Sequence, residues 1–313
     1  MAAMEPAAPD PRHTPVLVSE VVAALVQRPG GVFIDCTVGA GGHAAGILTA
    51  AGPTAVLVGL DADQAALRIA TGVLRAFGGL VTLIHRNFRH LAAVAAASGL
   101  QQVDGILLDL GVSTIQLSAR GRGFSLHDAL SLDMRFDESG SLTASTVVNE
   151  WPEEALADVI YRYGEEPAAR RIARAIVARR PITSAAQLAA VTAAAAGKHG
   201  RIHPATRTLQ AIRIEVNQEL AALTEVLPVA VSLLRPGGRL AVIGFHSLED
   251  RITKTYFQME ARNCICPPGL PVCSCGHIAQ VRLISRKAIR PAEVEVRQNP
   301  ASRSARLRVL ERL

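Results

Sequence analysis

The chain has 313 residues, of which 49% are hydrophobic and 19% charged, and a net charge of +6. That balance predicts a soluble globular protein of one large or two modest domains, and no apolar run reaches the length that spans a bilayer. The first dozen residues carry Pro6, Pro9 and Pro11 without an apolar stretch, which predicts a loose tail over 1–12, no secretion signal and a cytoplasmic location.

Strand and helix signals alternate through the first third of the chain. The run 32–35 predicts a first strand ending in Asp35, followed by the glycine-rich turn Gly39-Ala40-Gly41-Gly42-His43 and a helix over 42–51. A second buried strand, 55–61, ends in Asp61, and a helix follows over 62–77. A third strand is expected at 81–85, a helix at 88–97, and a fourth strand, 104–110, carries Asp109 near its end. Acids at the carboxyl ends of strands one, two and four of a parallel sheet face one crevice, where doubly wound sheets bind ligands.

Two cofactors fit that crevice. Gly39-x-Gly41-x-x-Ala44 matches the dinucleotide fingerprint, with Asp61 placed to accept from a ribose hydroxyl, which would make the chain an NAD-dependent oxidoreductase. S-adenosylmethionine is the other reading. Asp35, four residues before the first glycine, would face the cationic methionine end, because a carboxylate attracts an ammonium and a sulfonium. A glycine turn serving only strand-to-helix packing is the third alternative.

The alternation stops over 118–218, where helical periodicity at 170–178, 185–196 and 206–216 is separated by breakers at Gly164, Pro181 and 197–200. This predicts an all-helical insertion between two parts of one α/β domain, 13–117 and 219–313. The pattern resumes with a helix at 220–234, the turn Arg235-Pro236-Gly237-Gly238, a fifth strand at 239–245, a helix at 247–262 and strand-like segments at 278–284 and 306–310. A Pro-Gly-Gly turn before strand five is a methyltransferase habit and tilts the cofactor toward S-adenosylmethionine.

Two further features lie near the end. Cys264, Cys266, Cys273 and Cys275 form C-x-C-x6-C-x-C, a ligand set for a structural zinc, with redox pairing or reduced free thiols as the alternatives. From 278 to 313 there are nine arginines or lysines against three glutamates, so the net excess of the whole chain resides there. Such a surface suits phosphates, through Arg303, Arg306 and Arg308 among others. Arg306 and Arg308 alternate with Leu307 and Val309, so the outer face of a strand is the competing reading.

Longer motifs carry a resemblance over nearly the whole chain from His13. They are His13-Thr14-Pro15-Val16-Leu17, Asp35 through His43, Leu60-Asp61, Gly105 through Ser113, Gln116-Leu117 and Arg122-Gly123-Phe124-Ser125. Downstream come Leu132-Asp133-Met134-Arg135, Tyr163-Gly164-Glu165-Glu166, His203 through Thr208, Gln210 through Arg213, Phe245 through Arg251 and Ser302 through Ala305. Together they resemble the RsmH (MraW) family of 16S ribosomal RNA cytosine-N4 methyltransferases. The resemblance implies a class I, Rossmann-like S-adenosylmethionine-dependent methyltransferase with a helical domain inserted after strand four. It implies methyl transfer to the exocyclic amine of a decoding-centre cytidine in the small ribosomal subunit, with no DNA or membrane partner and with oligomeric state, including a homodimer, left open. It maps cofactor contacts onto Gly41, Gly42, His43, Asp61, Phe88, Asp109 and Gln116, with Phe88 against the adenine. After strand four the chain reads Asp109-Leu110-Gly111-Val112, without the prolines and aromatic of many amino-methyltransferases, and Ala301 stands where the family usually has a basic residue.

No cysteine nucleophile is needed when N4 itself attacks, so Cys36 is expected to be structural. Candidates to accept from the amine are Asp109, Asp133 and His246, the last with helix capping as its alternative. A base must leave its stack to reach such a crevice, and Arg122, Arg135, Arg207 and Arg213 of the insertion are candidate phosphate contacts, with salt bridges inside the protein as the alternative for each. A non-catalytic RNA-binding assembly factor is the remaining rival.

Overall fold

A computed structural model describes residues 15–197, 203–267 and 272–313. The tail expected at 1–12, His13-Thr14 and the breaker at 198–200 lie outside the described residues. The chain divides into two compact units, 1–111 with 222–313 and 112–221. The expected boundaries were 118 and 218. The division falls further out because Val112 packs into the helical unit's core and Glu219 is bound by Arg213.

The first unit runs α1 (Val18–Leu25), β1 (Gly31–Asp35), α2 (Gly42–Ala51), β2 (Ala55–Asp61), α3 (Gln64–Val73), β3 (Val81–His85), α4 (Leu91–Ala97) and β4 (Val103–Asp109). The second contains α5 (Thr114–Ser118), α6 (Ala144–Glu150), α7 (Glu153–Gly164), α8 (Ala169–Val177), α9 (Ala185–Ala196) and α10 (Thr206–Asn217). The first unit resumes within α11 (Glu219–Leu233) and continues with β5 (Leu234–Gly244), α12 (Ser247–Glu260), β6 (Val281–Leu283), α13 (Glu293–Gln298) and β7 (Arg306–Arg312).

The seven strands are ordered β3-β2-β1-β4-β5-β7-β6. Strands β1 to β5 are parallel, and β7 enters antiparallel between β5 and β6. Strand side chains alternate between faces. Phe33, Leu57 and Leu107 pack with α1, α2 and α3 on one face, while Ile34, Val58, Ile106 and Leu108 pack with α4, α11 and α12 on the other. Burial on both faces is why these strands read as continuous apolar runs. The sequence order reverses between β1 and β4, so the ligand-binding switch point lies there.

The expected turn at 235–238 is absorbed into β5 as an irregularity: Val103 pairs with Leu234, yet Gly105 pairs with Arg239. Gly238 is required there, because a Cβ would lie 2.9 Å from the carbonyl oxygens of Val103 and Arg235. The segment 306–310, read partly as a charged tail, is a sheet strand paired along β5.

The helical unit builds its own core from α6 to α10. Ile172, Ala173 and Ile176 form the buried stripe of α8, and Leu188, Leu209 and Ile212 meet it from the neighbouring helices. Helical spacing of these apolar residues, with no strand-like alternation, accounts for the all-α character. No described helix is long and apolar enough to cross a membrane.

Candidate active site

The carboxyl ends of β1, β2 and β4 each present an acid. Asp35 is fully buried. Its Oδ1 accepts from the Thr37 N–H at 3.1 Å, and its Oδ2 has no hydrogen-bond partner among the described residues. Desolvation pushes the Asp35 carboxyl up to about 7, against a smaller opposing pull from His43. On β4, Asp109 Oδ1 is likewise buried and unpartnered among the described residues. Desolvation, with repulsion from Glu249, pushes Asp109 up to about 7. Thr37 ties the two strand ends together, its Oγ1 accepting from the Asp109 N–H at 2.6 Å.

Asp61, the expected ribose acceptor, also has partners within the protein. Its Oδ2 accepts from Gly39 N–H and its Oδ1 from Asp63 N–H, both at 2.8 Å, so it braces the glycine turn. A carboxylate has about four lone-pair sites, which leaves acceptor capacity for ribose hydroxyls. Desolvation raises Asp61 to about 6, with the two backbone donors pulling the other way.

The glycines divide by purpose. Gly39 and Gly41 have positive φ, 52° and 88°. A Cβ on Gly42 would lie 2.4 Å from Pro15 Cγ, and one on Gly41 would lie 3.1 Å from Leu74 Cγ, so these two serve close packing. Only Gly39 has open space, its nearest contact being Thr37 O at 3.8 Å. Of the three glycines, Gly39 alone leaves the room that a close approach requires.

His43 is buried, with Nε2 2.8 Å from the Val16 carbonyl oxygen and Nδ1 3.5 Å from Asp109 Oδ2. A carbonyl only accepts, so Nε2 carries the proton and the Nδ1 lone pair faces Asp109. Desolvation lowers the His43 pKa, which favours this neutral form. His43 thus fastens the start of α2 and orders the edge on which Asp109 stands. Phe88 is half-buried after β3 and packs against the core beneath α4. Cys36 is buried among apolar side chains, and burial pushes its thiol up, away from reactivity.

His246 is the N-cap of α12. Its Nδ1 accepts from the Glu249 N–H at 3.5 Å, while Glu249 Oε2 accepts from the N–H groups of Phe245 and His246. The buried Glu249, which also repels charge on Asp109, was not singled out from the sequence. The spacing His246-x-x-Glu249 is a capping-box signal that could have found it.

In the helical unit, Asp133 is bound bidentately by Arg135, at 2.9 and 2.7 Å. Burial would raise this carboxyl, but the Arg135 hydrogen bonds outweigh it and hold Asp133 below its usual range. Gln116 is buried and engaged in a capping box with Ser113 at the start of α5. A cavity of about 350 Å³ in this unit is lined by Leu117, Phe124, Met134, Leu209, Gln210 and Arg213, among others.

Most candidate phosphate contacts are occupied within the protein. Arg122 donates to the Arg135 carbonyl and pairs with Glu138. Arg135 is held by Asp133 and by the carbonyls of Glu138 and Gly140. Arg213 is bidentate to Glu219, and Arg207 lies 3.7 Å from Glu166. Arg306 and Arg308 both bind Asp250 on α12, at 2.9 and 2.7 Å. Of the tail residues singled out, Arg303 is exposed. Over 278–313 Arg282, Arg286, Lys287, Arg290 and Arg297 are exposed as well, Arg282 in an ion pair with Glu311.

Two desolvated carboxylates flank the switch point, each with an unpartnered oxygen, beside an open Gly39. That donor set fits a cationic cofactor such as S-adenosylmethionine and opposes the pyrophosphate of a dinucleotide. Similarity to known proteins points the same way. The model of the MraW methylase family matches residues 10–313. The ribosomal RNA small subunit methyltransferase H of Symbiobacterium thermophilum is 52% identical over 309 residues, covering 96% of this chain and 96% of that protein. The protein of the same name from Thermomicrobium roseum is 50% identical over 305 residues, with 96% and 94% covered, and that from Syntrophotalea carbinolica 50% over 308 residues, with 96% and 98% covered. With the match extending over nearly its whole length and the crevice suited to the cofactor, the chain belongs to the MraW methylase family of S-adenosylmethionine-dependent methyltransferases.

Proposed function

We propose that this chain methylates the exocyclic N4 of a cytidine in 16S ribosomal RNA of the small subunit. The observation that carries the reading is the unpartnered, buried Asp109 Oδ1 at the switch point. When bound, S-adenosylmethionine supplies an electrophilic methyl group on a sulfonium. Asp35 and Asp61 provide negative charge beside the turn, and Gly39 leaves the turn approachable. A cytosine amine is a weak nucleophile because its lone pair is delocalised into the ring. Asp109 Oδ1 would accept from the amine N–H and take up the proton as N4 gains its methyl group. A carboxyl raised to about 7 is matched to that task near neutral pH. Asp133 suits it less, since Arg135 stabilises its charge, and His246 has its Nδ1 engaged in capping and its Nε2 3.2 Å from Glu249 Oε1.

Phe88 and Gln116 are proposed cofactor contacts on the strength of the family resemblance. Arg286, Lys287, Arg290, Arg297 and Arg303 form the proposed phosphate-facing surface, and the cavity of the helical unit is a candidate receptor for a nucleotide drawn out of its stack. A ribosomal RNA substrate implies a cytoplasmic enzyme. The test is incubation with unmodified small subunits and labelled S-adenosylmethionine, followed by mass mapping of modified nucleotides. A single N4-methylated cytidine in 16S RNA is expected. Cofactor binding with no transfer would favour an assembly factor, and binding of NAD in its place would favour the oxidoreductase.

A further inference from the structure

The segment between α12 and β6 contains no helix or strand among its described residues, yet it gathers four cysteine sulfurs. The Sγ atoms of Cys264, Cys266, Cys273 and Cys275 all lie within 4.8 Å of one another. Cys266 to Cys273 is 4.0 Å, Cys273 to Cys275 is 3.5 Å and Cys275 to Cys264 is 3.8 Å. A tetrahedral zinc with four thiolates at about 2.3 Å has sulfur–sulfur edges of about 3.8 Å. A disulfide needs about 2.05 Å. The thiols are exposed or half-exposed, so apolar burial does not explain their convergence.

Backbone donors complete the pattern. The Ile265 N–H points at Cys275 Sγ at 3.4 Å. N–H groups of Cys266, Ser274 and His277 are likewise directed at sulfurs of the cluster. Such donors orient metal ligands. His277 is not a ligand here, because its Nε2 lies 3.2 Å from the Met259 carbonyl oxygen.

We propose that Cys264, Cys266, Cys273 and Cys275 bind one zinc ion as a closed, structural site. Each thiol gives its proton to solvent as its sulfur binds, so four protons leave for one Zn²⁺. Four sulfur ligands leave no open position for substrate. Placement supports the structural role. Helix α12 starts at the carboxyl end of β5, on the crevice edge, and its 14 residues carry the chain about 21 Å back along the sheet. The cluster begins just beyond, where Gln280 N–H donates to the Glu260 carbonyl and Ala279 N–H to Asn263 Oδ1. The ion therefore fastens the end of α12 to β6, an edge strand of only three residues.

The test uses the full chain purified without added metal. Elemental analysis is expected to give about one zinc per chain, and replacement with Co²⁺ to give the thiolate charge-transfer and tetrahedral ligand-field bands of a four-sulfur site. The double variant Cys264→Ser/Cys275→Ser is expected to lose the metal and melt at lower temperature, with methyl transfer by the folded protein within about twofold of the unsubstituted chain. Metal-free protein that fails to take up Co²⁺ would overturn the proposal, as would iron in place of zinc or zinc retained by the double variant. Loss of methyl transfer on chelation with an unchanged melting temperature would overturn the structural role. Should the variant not fold, the Co²⁺ spectrum of the unsubstituted chain decides.

Discussion

Strand β4 carries two aspartates, one at each end, in opposite circumstances. Asp104, at the amino edge, accepts from Arg235 at 2.6 Å, from the Val32 N–H at 2.8 Å and from Arg28 at 3.0 Å. Burial would raise its carboxyl, but these donors hold it below the usual range. Asp109, five residues on, has an unpartnered oxygen among the described residues and is raised to about 7. Residue type and strand are the same, so the difference lies in what each edge must do. At the amino edge the charge of Asp104 is met by three donors from the protein itself. At the carboxyl edge Asp35 and Asp109 each keep a buried oxygen unpartnered among the described residues, a local cost of the kind that clusters at functional sites. The helical unit follows the first pattern, with Asp133 and Glu219 fastened by arginines.

The largest expected effect tests the functional side of that contrast. Asp109→Asn should lower methyl transfer by about two orders of magnitude or more while leaving the melting temperature near pH 7 no lower. A variant that turns over normally would remove Asp109 from the reaction. Asp104→Ala tests the structural side. It strands the Val32 N–H and two guanidinium groups and should cost about 2 kcal/mol of stability, read by denaturant unfolding, with cofactor affinity unchanged.

Asp35→Asn sharpens the comparison through pH. The folded Asp35 has its pKa raised from 3.8 to about 7, so between these values the native state binds more protons than the unfolded one. Stability contributed at this site therefore falls as pH rises through that window. The cofactor-free variant should be more stable than the unsubstituted chain near pH 8, by on the order of 1–2 kcal/mol. The gain should vanish below about pH 4. Equal stability near pH 8 would mean that Asp35 is solvated. The smallest effect concerns the basic surface. Arg303→Ala should reduce the salt slope of RNA affinity by about one without destabilising the fold, whereas Arg308→Ala should destabilise the fold by leaving Asp250 half-paired. The reverse outcome would reassign both arginines.

The α/β pattern was legible in the sequence because doubly buried strands are continuous apolar runs, and the three strand-end acids could be placed on one edge from that alone. The fate of the arginines was not. Arg308 and Asp250 are 58 positions apart and Arg235 and Asp104 are 131 apart, and nothing local signals such pairs. Helix α1 went unread because its 8 residues lie before the first strand, outside the alternation. The turn's glycines looked alike in sequence. Only three-dimensional packing against Pro15 and Leu74 separates Gly42 and Gly41 from Gly39. The cysteine spacing left a metal, a redox pair and free thiols open, and only the structure brings the four sulfurs within 4.8 Å of one another.

The proposal places the cations of the cofactor against Asp35 and leaves Asp109 Oδ1 to the reacting amine. Calorimetry of S-adenosylmethionine binding from about pH 6 to about pH 8, in buffers of differing ionisation enthalpy, tests it directly. Protons on Asp35 compete with the bound cation. Affinity should therefore rise with pH, with protons released on binding near pH 7, and S-adenosylhomocysteine, which lacks the sulfonium charge, should show the weaker linkage. An affinity independent of pH, with no proton release, would contradict the account.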